Sequence, residues 1–214
     1  MDCSGARSRA GRADLRPGLV SSAADGVTRA AELVGGARWF GGVHVSENGR
    51  VLLTIGGENP AIEGPPPPRA HVRWIGGGPL PGESYLDCAL REAHEELGCP
   101  VEVAHTAETL VELRPDPPSW MRLDDDPAPL LVQRYLDGEV LVMYRARLLA
   151  EPRPADVERL VWVPAAAMEA LADGLAPEDA TRLGLEVLGP APRPGAVLFV
   201  GRAGAEYLLW RLKL

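Results

Sequence analysis

One segment, Gly77 to Cys99, constrains this chain more than any other. It reads Gly77, five residues, Glu83, seven residues, Arg91-Glu92-Ala93, one residue, Glu95-Glu96, one residue, Gly98-Cys99. The stretch from Ser84 to Leu97 predicts a helix: Ser84 is an N-cap with Asp87 three residues on, and Gly98 is a C-terminal stop. Tyr85, Leu86, Ala89, Leu90, Ala93 and Leu97 supply its apolar stripe. On that helix Glu92, Glu95 and Glu96 stand at i, i+3 and i+4, so their carboxylates share a face. Three like charges packed there repel, and nothing in helix stability calls for them. A divalent cation turns the repulsion into coordination, and hard oxygen ligands select Mg2+ or Mn2+. Arg91 adjoins the cluster and can hold one carboxylate in place. The glycines Gly76-Gly77-Gly78 let backbone carbonyls approach the same ion. A solvated acidic face is the ordinary account of a glutamate triplet. The fixed spacing of glycine, Glu83 and Arg91 around this one sets it apart.

These residues resemble the Nudix box, and every charged and glycine position of that pattern is filled. Trp74 before the glycines and Pro81-Gly82-Glu83-Ser84 entering the helix fit as well. Ala93 and Cys99 fill two apolar box positions with small side chains, and Ile75 stands where many members have proline. The resemblance implies an α/β fold, an α/β/α sandwich around a mixed β-sheet. It also implies hydrolysis of a nucleoside diphosphate linked to another moiety, with water attacking phosphorus and Mg2+ or Mn2+ as cofactor. Carried over position by position, Glu92 and Glu96 become the principal metal ligands. Glu95 is a further ligand or the base that activates water, and the Gly77 carbonyl completes the shell. Arg91 orients a glutamate, and Glu83 supports the cluster from the loop. Some members place the base outside the box; Glu112, Asp124, Asp125, Asp126 and Glu139 are the acids in position for that here.

Composition agrees with a small-molecule enzyme. The 214 residues carry a net charge of -8, which suits phosphate binding through cations rather than a nucleic-acid partner. No apolar run is long enough to span a bilayer, and the first residues lack the apolar core of a signal peptide. Cys3, Cys88 and Cys99 have neither zinc spacing nor a disulfide framework, so a reducing, cytoplasmic compartment is the expectation. A homodimer is left open.

Along the chain, residues 1–36 are nearly free of large apolar side chains and read as a loose N-terminal extension, with a short helix over 27–33 inside it. The domain then runs from 37 to 214. Strands are predicted around 39–45 and 51–55, joined by the Asn48-Gly49 hairpin turn, and around 71–75, 101–103, 109–113, 130–135, 139–149 and 160–163. Pro65 to Pro68 stiffen a loop over 56–70, and a second Pro-rich loop covers 114–129. Pro164 opens a helix over 165–172. From about 174 a C-terminal extension is expected, with a helix over 178–188 and a closing hairpin of 196–200 with 206–212.

Substrate signals lie outside the box. Pro115, sixteen residues past Cys99, matches the ADP-ribose subfamily, so ADP-ribose or a related small nucleotide is the expected substrate. The tyrosine of diadenosine polyphosphate members is replaced by Asp116. In the second Pro-rich loop Trp120 offers a flat face for a base, and Arg114 and Arg122 offer guanidinium groups for phosphate. The competing reading is a Nudix-like module that senses a nucleotide without hydrolysing it. A full acidic triad argues for hydrolysis, since a sensor has no use for a complete metal cluster.

Overall fold

The computed structural model describes residues 28–56, 69–192 and 195–214. The Pro65–Pro68 run and Cys3 lie outside these described residues. The first elements are helix α1 (Ala30–Val34) and strands β1 (Trp39–Glu47), β2 (Arg50–Ile55), β3 (Arg69–Arg73) and β4 (Ile75–Gly77). Helix α2 (Tyr85–Leu97) leads into β5 (Val101–Ala104), β6 (Thr109–Leu113), β7 (Ser119–Met121), β8 (Leu131–Arg134), β9 (Val140–Leu148) and β10 (Arg159–Pro164). The chain closes with α3 (Met168–Asp173), α4 (Pro177–Arg182), β11 (Glu186–Leu188), β12 (Val197–Phe199) and α5 (Ala205–Arg211).

The strands form one mixed sheet in the order β11-β10-β2-β1-β9-β8-β6-β7. β1 runs parallel to β9 from Trp39 opposite Val140 to Val45 opposite Ala146, and β6 runs parallel to β8. The expected β1–β2 turn is present, with Asn48 and Gly49 both at positive φ. Beyond that turn the hairpin splits. β1 takes β2 at its far end and β4 along Gly41–Val43, while β2 takes β3 at Thr54 and Ile55.

Side-chain alternation then divides the core into layers. Val43, Val45, Val142, Tyr144, Leu160 and Trp162 face α1 and α2. On the opposite face, Leu53, Ile55, Val161 and Val163 pack under α3 and α4, and Leu110, Leu131, Leu141 and Met143 pack under α5. Helices on both faces of a mixed sheet are the expected α/β/α sandwich. Among the described residues no helix is long and apolar enough to cross a membrane.

Several local expectations are corrected. The segment read as a helix over 178–188 is α4 followed by β11, because Gly184 at φ 79° ends the helix and residues 186–188 pair with β10. The closing hairpin of 196–200 with 206–212 is absent. β12 pairs in parallel with β3, and the second arm is helix α5. Ala205, Leu208, Leu209 and Leu212 recur at helical spacing and meet one core, which the residue pattern alone also allowed as a strand. The loop over 114–129 contains the edge strand β7, with Trp120 opposite Leu110. Within the 1–36 extension, residues 1–27 lie outside the described residues, and α1 buries Ala30 and Val34 in the core that faces α2.

Candidate active site

Helix α2 is built as its residues suggest. The Ser84 hydroxyl accepts the Asp87 amide at 3.1 Å, and Gly98 closes the helix in the left-handed region with its amide on the His94 carbonyl. Two strand glycines allow close approaches to β1, Gly41 by α2 and Gly42 by Trp74 and β4. A Cβ on Gly41 would lie 2.9 Å from the Ala89 nitrogen and from the Cys88 side chain. A Cβ on Gly42 would lie 2.8 Å from the Trp74 ring. Trp39 packs edge-on against Tyr85 at 4.5 Å, which fixes the start of the helix on β1.

Arg91 gathers most of the acidic residues that sequence spacing singles out. Its Nε and Nη2 donate to the two oxygens of Glu83 at 2.8 and 3.1 Å, a bidentate fork. Nη1 donates to Glu92 at 2.8 Å and to Glu95 at 2.7 Å, and Nη2 also reaches the Gly78 carbonyl at 2.9 Å. The Leu80 amide donates to Glu83 as well, at 2.7 Å. Hydrogen bonding from Arg91 holds the Glu83 carboxyl below the usual range, and Glu83 in turn holds the guanidinium charged far above any ordinary pH.

Glu96 is held differently. It is 6 % exposed, and one carboxylate oxygen accepts the Gly76 amide at 2.8 Å. Burial pushes its pKa up to about 7; the Gly76 amide and Arg73 pull down, while Glu92 and Asp156 push further up. Gly77 lies against Glu92, where a Cβ would come within 2.5 Å of the carboxylate. Its carbonyl takes a long contact from the Cys88 thiol, 3.5 Å. Burial raises that thiol to about 11, so it stays protonated and acts only as a weak donor.

The structure thus brings Glu83, Glu92, Glu95 and Gly78 together around one guanidinium, and sets Glu92 and Glu96 one turn apart over Gly77 and Gly76. Among the described residues no three His, Cys, Asp or Glu side chains converge as a metal-binding group. Glu92 and Glu95 take Arg91 as partner, while Glu96 accepts the Gly76 amide.

The residues expected to meet substrate are more dispersed. Arg114 donates to Glu112 at 3.5 Å and to the Ala203 carbonyl at 3.1 Å. Trp120 packs half-buried into the core under α5, and Arg122 is exposed. The acids considered as outlying bases all have other partners. Glu112 binds Gln133, Asp124 and Asp125 meet Arg29 and the Ala30 amide, Asp126 faces His105, and Glu139 pairs with Arg38.

Two features escaped the sequence reading. Gly41 and Gly42 carry a signal that was available, since paired glycines inside a strand mark a close backbone approach. Glu206 carries none: it is a lone acid in an apolar stretch, yet it is 5 % exposed and accepts the amide of Trp74.

Residues 38–183, about two thirds of the chain, match the model of the NUDIX domain. No protein of curated function matches the sequence. Among solved structures, the chain is similar to a NUDIX-family hydrolase from Clostridium perfringens, at 15 % identity over 62 % of this chain and 84 % of that one, TM-score 0.42. It is also similar to an ADP-ribose pyrophosphatase from Streptococcus suis, at 15 % identity over 82 % and 90 %, TM-score 0.40. A MutT NUDIX hydrolase from Burkholderia pseudomallei shares 23 % identity over 61 % and 84 %, TM-score 0.38. With its box complete and its domain matched from Arg38 to Leu183, the chain belongs to the NUDIX family, hydrolases of pyrophosphate bonds.

Proposed function

We propose that this chain is a divalent-metal-dependent pyrophosphohydrolase that cleaves a small nucleotide of the form nucleoside diphosphate linked to another moiety, with ADP-ribose as the first candidate. The observation that carries the reading is the pair Glu92 and Glu96, one helical turn apart over the backbone of Gly76 and Gly77. The donor chemistry fits Mg2+ or Mn2+: carboxylate and carbonyl oxygens, with no sulfur or imidazole ligand in the group. It also fits in charge. Glu96 is a buried acid whose ionised form has only a backbone amide and the charge of Arg73 to favour it, and a nearby cation would stabilise that form. Gly77 leaves a cradle beside Glu92 that any larger residue would fill.

In this reading Glu92 and Glu96 hold the metal, with Glu95 as a further ligand or as the base for water and the Gly77 carbonyl as a backbone ligand. When bound, the cation neutralises pyrophosphate charge and stabilises the leaving group. Arg91 keeps Glu92 and Glu95 aligned through one guanidinium nitrogen while its other edge grips Glu83. That grip ties the loop before α2 to the helix. Trp120, Arg114 and Arg122 are the proposed substrate contacts on the β6–β7 side, and Arg122 is the most accessible of the three.

The test is an Mg2+- or Mn2+-dependent assay against ADP-ribose, dinucleotides, nucleoside triphosphates, nucleotide sugars and coenzyme A. Glu96→Gln keeps the size and removes the ligand charge, and kcat should fall on the order of 10^2-fold or more. Near-normal turnover in that variant, with an unchanged melt, sinks the assignment.

A further inference from the structure

The part of the chain beyond the family match, residues 184–214, does more than follow the domain. Helix α5 closes the sheet face opposite α2 and buries Ala205 and Leu209 against Leu110, Leu131, Leu141 and Met143. Three sets of polar contacts fasten it. The Ala203 carbonyl accepts from Arg114 at 3.1 Å and Gln133 at 3.2 Å, and the Trp210 indole donates to the Ala165 carbonyl at 2.7 Å. Arg202 links Glu169 and Asp173 of α3 to the Tyr207 hydroxyl.

The contact with consequence is Glu206. Its buried carboxylate accepts the backbone amide of Trp74, the residue immediately before β4. Trp74 is itself wedged: a Cβ on Gly42 would come within 2.8 Å of its ring and one on Gly76 within 2.6 Å. Its position therefore sets how β4 lies on β1. β4 in turn carries the two backbone groups of the acidic centre, the Gly76 amide bonded to Glu96 and Gly77 against Glu92. A line of direct contacts runs from α5 through Glu206, Trp74 and β4 to both glutamates.

We propose that Glu206 is a positioning residue for hydrolysis. Through the Trp74 amide, the C-terminal helix α5 holds β4 in the register that aims Gly76 and Gly77 at Glu96 and Glu92. The catalytic unit then extends past the family-matched domain to the last helix of the chain. A leucine of similar reach would fill the site without burying a carboxyl, so packing alone does not explain an acid there. An acceptor for the Trp74 amide does.

This rests on the proposed hydrolysis for its kinetic arm only. The experiment compares Glu206→Leu, which removes the acceptor, with Glu206→Gln, which keeps a carbonyl oxygen in its place. Amide hydrogen exchange of the segment spanning 74–80 is read alongside steady-state kinetics. Glu206→Leu should raise exchange at the Gly76 and Gly77 amides about tenfold or more and lower kcat by a similar factor, with KM within about threefold. Glu206→Gln should recover most of both. Should the leucine variant fail to fold, Leu209→Ala loosens α5 while leaving Glu206 in place, and it should raise exchange in α5 and β4 together. Unchanged β4 exchange in Glu206→Leu, or in Leu209→Ala when α5 exchange rises, overturns the proposal. So does a Glu206→Gln variant as impaired as the leucine. If the wild type hydrolyses none of the nucleotides, the functional reading fails, and the exchange arm still decides the coupling.

Discussion

Replacing Glu206 by glutamine should change the pH dependence of stability in a direction set by burial. Burial pushes this carboxyl from its ordinary 4.5 up to about 7, against the pull of its own backbone amide, the Trp74 amide and Arg73. A raised pKa means that the folded state binds the proton more tightly than the unfolded state. The stability linked to that proton is fully present below pH 4.5 and is lost as pH rises through 7. A rise of this size corresponds to about 3 kcal/mol between the two limits. Glutamine carries no proton to lose, so that variation disappears. At low pH the protonated carboxyl and the amide each offer one carbonyl oxygen to the Trp74 amide, so the two proteins should match there. Relative to wild type, Glu206→Gln should be about equally stable at pH 4.5 and about 3 kcal/mol more stable at pH 8. The assay is urea unfolding of both proteins across that range, each without added metal. The difference between the two matters rather than the wild-type curve, because other groups titrate in the same window. Glu96 also rises to about 7, and His44 falls to about 4, with the opposite effect. A stability difference that stays flat from pH 4.5 to 8 would show that Glu206 is not buried as a titrating acid.

Arg91→Met should lower stability, because it leaves Glu83 and Glu92 without their shared partner and exposed Glu95 without its ion pair; a lowered midpoint in chemical unfolding measures it. Gly77→Ala should lower kcat at least about tenfold while the melting temperature moves by only a few degrees, since the new methyl meets the Glu92 carboxylate 2.5 Å away; an unchanged kcat counts against Glu92 as a ligand. His44 is 6 % exposed, and burial first and Arg145 second lower its pKa from 6.5 to about 4. Its contribution is fully present above pH 6.5 and is lost as pH falls toward 4, so His44→Leu should flatten acid destabilisation by about 3 kcal/mol across that interval in the same unfolding assay.

What could be read from the sequence was mostly what is local. The caps and apolar stripe of α2 depend on residues within a few positions of one another, as does the Asn48-Gly49 turn, and both appear as expected. Arg91, expected to hold one carboxylate, donates to both Glu92 and Glu95, its neighbours at one and four residues. Which way Glu96 turns could not be read, because its partner is an amide on β4, and β4 is placed by pairing with β1. The C-terminal segment differs from its expected hairpin for a similar reason. Residues 206–212 are a short, mostly apolar run that fits a strand or a helix, and the choice falls to a sheet face formed by β6, β8 and β9. Residues 1–36 read as a loose extension, yet α1 within them packs on the domain. Its small Ala30 and Val34 fill space beside α2, and its Ala30 amide is taken at 2.8 Å by Asp125, 95 residues away.

The acidic centre is therefore held from two sides by different kinds of interaction. On one side Arg91, Glu92 and Glu95 lie within α2, and Glu83 joins them from the loop before it, with the Leu80 amide and the Gly78 carbonyl in the same group. On the other side the glycine backbone of β4 must be placed by elements far apart in sequence, and glycines alone supply little stiffness. Trp74 provides bulk there, and the buried Glu206 provides the bond. A buried carboxyl is an expensive way to hold one amide, which a neutral side chain could also do. It does place an acceptor beside the strand that carries Gly76 and Gly77. That position, rather than the stability of α5, is what its chemistry suits.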